Sequence, residues 1–226
     1  MAAVFFASCV HSSSFQTKYM ATNGITPSSR ELGRRLLERC IDTHGGRKAW
    51  DNLNGWTLEG YEQSMSFFGL ERQRKLYSSL DLAETPNSLS RSPLASGFNQ
   101  SSLKTFFEMP FSFEEAETVS YAGKASFAGR DFNLVYIRGG PRIHKDDEYI
   151  VWLSENTNLL SVSQFKISGP NHLSRGAVIM TDHRVVHGIV VPFKMKIIKD
   201  LDPSSLEGGF DIEKIDFNVA KAGTGA

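Results

Sequence analysis

Hydrophobic and polar residues alternate along much of the second half of the chain. In residues 193–199, Phe193, Met195 and Ile197 alternate with lysines, and residues 213–219 repeat the pattern. Successive side chains of a strand point to opposite faces, so this alternation predicts strands with one buried face and one solvated face.

Strand-like segments follow one another from residue 56 onwards, and turn residues separate them. The predicted strands are 56–69, 70–80, 116–123, 131–139, 148–154, 159–169, 175–186, 191–200 and 209–220. Sequential strands with short turns predict an antiparallel meander. His187-Gly188 is a predicted hairpin turn, because histidine tolerates positive φ better than most residues. Residues 81–103, rich in Ser, Pro and Asn, predict a long loop.

One helix is well signalled before the strands. Ser28 and Glu31 have the spacing of a capping box, and five residues then recur at helical spacing: Leu32, Leu36, Leu37, Cys40 and Ile41. Gly45 predicts the helix end, and a second short helix is expected at about 46–53. His44 would lie in the last turn, where the helix macrodipole favours a protonated imidazole.

Two short helices cannot fully cover a sheet of this size. We therefore expect an α+β fold, mainly antiparallel β, in which nine to eleven strands form an incomplete barrel over short N-terminal helices. A cavity or groove between the sheet and the helices follows from the insufficient cover.

The 226 residues suit a single domain, predicted at 29–220 with a tail at 221–226. Residues 1–28 contain no Asp or Glu and are set apart. They are interpreted as a disordered tail, an organelle transit peptide, or a bacterial lipoprotein signal with the weak lipobox-like sequence FASC at 6–9.

Composition excludes several classes of function. Positive and negative residues balance at 25 each, which argues against a nucleic-acid binder. No apolar run is long enough to span a membrane. The two cysteines, Cys9 and Cys40, lie in no metal-binding spacing, so no metal site and no cofactor are predicted, and Cys40 is interpreted as a buried thiol.

The ordered set of segments resembles the bacterial lipoprotein-localisation (LolA/LolB-like) superfamily, close to an uncharacterised branch of envelope proteins. The likeness covers roughly residues 29–219. It rests on these pieces: "HGG" followed by "AW" (44–50), "EMPFSFEEAETVSYAGKASFAGRDFNLVYI" (108–137), "DDEYIVWLSENTNLLSVSQF" (146–165), "DHRVVHGIVVPFKMKI" (182–197) and "IEKIDFN" (212–218).

The resemblance implies an apolar cavity that holds a lipid or other hydrophobic small molecule, in the manner of a carrier of acyl chains. It also implies a location in the bacterial cell envelope or periplasm, where the protein could associate with a membrane surface. An organelle or the cytoplasm stays open, and the oligomeric state is unknown. The alternative function is an enzyme, such as a cyclase, isomerase or hydrolase, that uses the same cavity.

Candidate ligand-binding residues are aromatic, aliphatic or cationic. They are Arg72, Arg74, Phe107, Phe111, Tyr136, Trp152, Phe165, Phe193 and Met195. The two arginines share a strand face, and if that face turns inward they could bind a carboxylate or phosphate. Otherwise they belong to a solvated edge strand.

For the enzyme alternative, the candidate acid and base residues are His183, His144, Asp147 and Glu148. This chemistry requires a histidine within hydrogen-bond reach of a carboxylate in the cavity. His183 and His187 lie about 13 Å apart along a strand, too far to share one metal ion.

Overall fold

The computed structural model describes residues 17–66, 69–78, 100–168, 173–199, 201 and 205–219. The helices are α1 (Lys18–Asn23), α2 (Pro27–Thr43), α3 (Arg47–Asp51) and α4 (Gln100–Phe107), with a 3-10 turn at Phe111–Phe113. The strands are β1 (Leu53–Ser66), β2 (Gly69–Ser78), β3 (Thr118–Phe127), β4 (Arg130–Gly140), β5 (Ile143–Ser154), β6 (Leu160–Ser168), β7 (Leu173–Val186), β8 (Ile189–Ile198) and β9 (Leu206–Val219).

All nine strands form one antiparallel sheet in the order β2-β1-β9-β8-β7-β6-β5-β4-β3. Consecutive strands pair from β3 to β9, and β9 returns to pair with β1. Within the described residues the sheet does not close, because β2 and β3 lie at its two edges. The predicted incomplete antiparallel barrel is confirmed.

The turn predicted at His187-Gly188 is confirmed, whereas the first hairpin reverses before the predicted boundary between residues 69 and 70. Ser66 pairs with Gly69 in the β1–β2 hairpin, whose turn residues 67–68 lie outside the described residues. Val186 pairs with Ile189, and the intervening His187 and Gly188 have φ values of 50° and 81°. Two consecutive positive φ angles are what a two-residue primed turn requires.

The N-cap of helix α2 lies two residues before the predicted cap. Thr26 is the N-cap: its Oγ1 accepts from the Ser29 amide at 3.1 Å, and Ser29 Oγ accepts from the Thr26 amide at 2.9 Å. The predicted Ser28–Glu31 box was wrong, because Pro27 suits the first helical position and leaves Thr26 as the cap. Glu31 instead pairs with Arg35 on the surface.

The folded region also starts before the predicted boundary at residue 29. Helix α1 lies against β3, where Thr17 donates a hydrogen bond to the Ala122 carbonyl and Met20 is buried. The predicted tail at 221–226 and the lipobox-like residues 6–9 lie outside the described residues, as do positions 81–99 of the predicted loop.

The alternation in β8 and β9 suggested a uniformly polar outer face of the sheet. The structure differs, because part of that face is buried. Strands β4 and β5 are buried on both faces, as Tyr149–Leu153 illustrates. A second cluster of buried side chains lies on this face, and we call it the outer cluster. It consists of Met20, Ala122, Phe132, Leu134, Tyr136, Ile150, Trp152, Val162, Ala177 and Ile198. The outward side chains of β1, β2 and β9 are largely charged or polar.

Helix α2 packs very closely on β3. A Cβ atom on Gly33 would lie 2.6 Å from both the Ser120 carbonyl carbon and the Tyr121 amide nitrogen. Beside this contact, Ser120 Oγ donates to Ser29 Oγ at 2.9 Å. Glycine is therefore required for the helix to approach the sheet backbone.

We expect Gly33→Ala to lower the free energy of unfolding by about 2 kcal/mol, because backbone atoms would have to separate. The helix propensity of alanine, worth about 1 kcal/mol, offsets only part of this cost. Urea denaturation measures the change. Arg30→Ala, on the exposed side of α2, is the control and should change stability by less than about 0.5 kcal/mol. A Gly33→Ala protein more stable than wild type would contradict the close contact.

Candidate functional site

The inner face of the sheet is an apolar wall. Its buried side chains come from β1 to β9 and belong to one cluster with α2. The wall includes Leu58, Val135, Ile137, Tyr149, Val151, Phe165, Val178, Met180, Val191, Phe193, Met195, Ile197, Phe210, Ile212, Ile215 and Phe217. Such a surface favours contact with an apolar layer over contact with water.

The cover of this wall is shared between α2 and residues 103–113, which we call the interior segment. Helix α2 contributes Leu36, Leu37, Cys40 and Ile41. The interior segment comprises most of α4, the following residues and the 3-10 turn, and it buries six large side chains to 3% exposure or less: Leu103, Phe106, Phe107, Met109, Phe111 and Phe113.

Aromatic contacts spread the interior segment across the sheet. The Phe107 ring lies 4.8 Å from the Trp56 ring on β1, and the Phe106 ring lies 5.3 Å from the Phe165 ring on β6. Farther along, the Phe113 ring lies 5.0 Å from that of Tyr149 on β5. Among the described residues, the interior segment thus occupies the place that a ligand of the inner wall would take.

Two arginines hold the residues that directly follow the interior segment. Arg34 of α2 donates from Nη1 to the Glu114 carbonyl at 2.7 Å and from Nη2 to the Ala116 carbonyl. Arg47 of α3 forms an ion pair with the Glu114 carboxylate at 2.5 Å and binds Asp51 at 2.7 Å. Within the interior segment itself, six large side chains are held by burial, and the Glu108 side chain hydrogen-bonds with Trp56 of β1.

Trp50 of α3 also contacts this region. Its ring stacks on the Phe111 ring at a centroid distance of 4.4 Å and meets the Phe217 ring of β9 edge-on at 6.3 Å. The side chain therefore joins the short helix, the interior segment and the sheet.

Five of the predicted ligand-binding residues lie together on the inner side of the sheet. They are Phe107, Phe111, Phe165, Phe193 and Met195, each 6% exposed or less. Two are part of the interior segment, and three belong to the wall. Their role in binding a ligand stays a prediction.

Tyr136 and Trp152 lie on the opposite face of the sheet, in the outer cluster. The Trp152 indole N–H donates to Gln164 Oε1 at 3.0 Å, and its ring packs edge-on against those of Phe127 and Phe132. Alternation along β4 and β5 separates these two residues from the inner wall, so they cannot line one cavity with Phe165 or Phe193.

Arg72 and Arg74 also point away from the interior. Arg72 lies 4.1 Å from the centre of the Tyr61 ring and 3.5 Å from Asp211, and Arg74 pairs with Glu59 at 2.6 Å. Both side chains are more than half exposed. The inward face that their predicted role required instead carries Tyr77, whose hydroxyl donates to Glu62 at 2.7 Å.

The four candidate acid and base residues are not brought together. His144 is exposed, 4.0 Å from Asp146, and Glu148 pairs with Lys166 at 2.9 Å on the outer face. His183 Nε2 donates to the Leu160 carbonyl at 3.0 Å. Asp147 is buried beside Tyr149, and burial is the main cause that raises the pKa of Tyr149, with the Asp147 charge adding to it.

His44 occupies the predicted corner between α2 and α3. Gly45 and Gly46 have φ values of 111° and 80°, and the Gly46 amide donates to the Ile41 carbonyl at 2.9 Å. The His44 Nδ1–H donates to the Cys40 carbonyl at 2.8 Å. The His44 carbonyl accepts from the Val190 amide at 3.0 Å, which ties the corner to β8.

His44 is not held as an imidazolium. Its side chain is 2% exposed, and burial lowers its pKa from 6.5 to about 4, although the bond to Cys40 acts in the opposite direction. The His183 ring, 6.1 Å away, lowers the pKa further. Burial thus outweighs the macrodipole, whose effect is about 0.3–1 kcal/mol. Nearby Cys40 is fully buried, and burial raises the pKa of its thiol.

Sequence reasoning missed α4, although a signal was present. Leu103, Phe106 and Phe107 have the i, i+3, i+4 spacing of a helix that buries one face. The polar residues before them directed the interpretation towards a loop extending to residue 103. The near-continuous apolar run in β5 was likewise a signal of burial on both faces.

Two further properties concern membranes and metals. Among the described helices, none combines the length and hydrophobicity that a membrane span requires. The same part of the chain contains no group of three or more His, Cys, Asp or Glu side chains arranged to hold a metal ion.

Comparison with solved structures identifies the fold. A DUF1329 family protein from Desulfovibrio piger matches with a TM-score of 0.55 and 11% identity, over 85% of this chain and 94% of that one. A LolA superfamily protein from Nitrosomonas europaea matches with a TM-score of 0.50 and 8% identity, over 83% and 94%. A Vibrio parahaemolyticus domain described as an outer membrane lipoprotein-sorting protein matches with a TM-score of 0.52 and 8% identity, over 87% and 95%.

No family model matches the sequence, and a search of curated proteins finds no similar sequence. At these low identities the structural matches show the fold alone. The chain therefore has a LolA-like fold, as the sequence resemblance implied.

The depressed pKa of His44 predicts how stability depends on pH. The unfolded chain takes up a proton near pH 6.5, but the folded chain does so only near pH 4. The stability contributed by neutral His44 is therefore complete above pH 6.5 and is lost as the pH falls towards 4, by about 3 kcal/mol.

We expect His44→Gln to reduce this loss, measured as the difference in the free energy of unfolding between pH 7 and pH 4.5. His144→Gln, which removes an exposed imidazole, is the control, and it should retain the loss of stability seen in wild type. An unaltered pH dependence in His44→Gln would show that His44 protonates freely in the folded protein.

Proposed function

We propose that this chain, which shares its fold with LolA superfamily proteins, binds a hydrophobic molecule such as a lipid acyl chain against its inner wall and acts as a carrier. The observation that carries the proposal is the interior segment. A short stretch of chain, rather than a long helix, covers the part of the wall that α2 leaves open.

The energetics support exchange between the interior segment and a ligand. Burial of apolar surface stabilises by about 25 cal/mol per Å² whether the surface belongs to the chain or to a bound molecule. Phe106 and Phe107 could therefore leave the wall at little net cost when an acyl chain replaces their contacts. An empty wall, by contrast, would expose a large apolar surface to water.

The anchoring of the interior segment suits displacement. Directly after the segment, Arg34 of α2 binds the Glu114 and Ala116 carbonyls, and Arg47 of α3 binds the Glu114 carboxylate. Hydrogen bonds of a charged donor contribute about 1.5–3 kcal/mol each. The two arginines would thus set how readily the interior segment leaves.

The positions of the acid and base candidates do not favour the enzyme alternative. His144 and Glu148 face solvent or the outer side of the sheet, and His183 is bonded to a backbone carbonyl. The carrier function accordingly has the stronger support.

We also propose a location in the bacterial envelope or periplasm. The support is the lipoprotein-sorting description of the Vibrio parahaemolyticus structure and the lipobox-like sequence FASC at 6–9. A carrier of acyl chains would also contact membrane surfaces when it loads and unloads.

We expect the wild-type protein to bind the apolar fluorescent probe 1-N-phenylnaphthylamine, with increased emission on binding. Arg34→Ala should bind about tenfold more tightly, because the interior segment then competes less strongly for the wall. Fluorescence titration measures both affinities.

Arg35→Ala is the matched control. Arg35 lies on the same helix and carries the same charge, and its ion pair among the described residues is with exposed Glu31. Its affinity for the probe should equal that of wild type. A failure of wild type, Arg34→Ala and Arg35→Ala alike to bind the probe would contradict the proposed function.

A further inference from the structure

Within the described residues, the hydroxyl group of Ser163 in the inner wall has no hydrogen-bond partner. Ser163 lies on β6, pairs across the sheet with Val151 on β5 and Val178 on β7, and is 0% exposed. Because Phe165 faces the interior and Val162 faces outward, strand alternation places the Ser163 side chain on the inner face. Within the described part of the chain, nothing accepts from or donates to its Oγ.

An unpartnered buried hydroxyl destabilises a folded protein. Its bonds to water are lost on folding without replacement. Alanine would fit the same space, since it is smaller by one oxygen atom and leaves the methylene position filled. Packing alone therefore gives no reason for serine here, and such groups call for a specific explanation.

Ser120 provides the comparison within the same sheet. It too is 0% exposed, but its hydroxyl donates to Ser29 Oγ at 2.9 Å, so it joins α2 to β3. The buried hydroxyl of Ser120 is thus partnered in a structural contact. Within the described residues, Ser163 on the wall and Ser112 in the interior segment, 6% exposed, have no such partner for their hydroxyls.

The interior segment covers this part of the wall. Phe165, two residues along β6 on the same face, lies 5.3 Å from Phe106 of α4, measured between ring centres. Phe106 thus covers the neighbouring inward position on the strand that carries Ser163.

We propose that Ser163 is the hydrogen-bonding contact for the ligand of the inner wall, and that this ligand carries an uncharged oxygen group, a hydroxyl or an ester carbonyl, along its apolar part. The inference rests on the proposed function and names the chemical class of its ligand. The unmet hydrogen bond of the ligand-free protein is then completed on binding.

The surroundings exclude a charged group at this position. Val151 and Val178, the residues paired with Ser163, are apolar and buried. A carboxylate or phosphate among them would require a cation to offset its desolvation, and one neutral hydroxyl does not supply that. Arg72 and Arg74, the candidates for such a cation, lie on the outer face.

The test compares wild type, Ser163→Ala, Ser163→Cys and the control Ser120→Ala. Thermal unfolding gives stability, and 1-N-phenylnaphthylamine titration gives the affinity for an apolar probe. Displacement of that probe by decan-1-ol and by decanoate at pH 8 then separates a neutral oxygen group from a charged one.

We expect Ser163→Ala to raise the midpoint of unfolding by about 2–4 °C, whereas Ser120→Ala lowers it. Ser163→Ala should bind the probe as wild type does but bind decan-1-ol about three- to tenfold more weakly, with Ser163→Cys in between. Decanoate should displace the probe equally from wild type and Ser163→Ala, and Ser120→Ala should change no affinity.

Two results would overturn the inference. One is equal displacement by decan-1-ol from wild type and Ser163→Ala, which leaves the proposed function intact if the probe still binds. The other is a lower midpoint for Ser163→Ala, which would show that the hydroxyl already has a structural partner. Absence of probe binding by wild type, Arg34→Ala and Arg35→Ala alike would instead contradict the proposed function itself.

Discussion

The need to cover one apolar face of an unclosed sheet governs the rest of this structure. A closed barrel fills its interior with side chains of its own strands, but an open sheet must recruit other elements. Helix α2 meets part of that need and approaches so closely at Gly33 that no side chain fits. The remaining wall is covered by the interior segment, and this division of the cover between a helix and a short segment is the feature on which the proposed binding depends.

The sequence predicted most of the architecture, because strand alternation and turn residues are local signals. Phe193, Met195 and Ile197 lie on the inner face as their spacing indicated, and His187-Gly188 forms the expected turn. The α2 cap was misplaced because Ser28 and Thr26 both offer a hydroxyl, and the choice between them depends on Pro27.

The candidate site was less predictable, since it depends on which face of each strand turns inward. Arg72 and Arg74 share a face with Leu76, which is 70% exposed, and only the pairing of β2 with β1 reveals that this face is the outer one. Tyr136 and Trp152 were assigned to the wrong face for a different reason. They are buried, but on strands buried on both sides, where hydrophobicity no longer identifies the inner face. The sequence could not single out Ser163, because a missing hydrogen-bond partner is visible only in the packing of the described residues.

The burial of β4 and β5 on both faces has a mechanical consequence. Amides in a strand packed between two apolar layers open to solvent only when both layers separate, whereas strands with one solvated face lose less on opening. The sheet therefore consists of a stiff half, centred on β4 and β5, and a more compliant half formed by β2, β1 and β9. If the inner wall changes its curvature to admit a molecule, the compliant half will move while the stiff half acts as its frame.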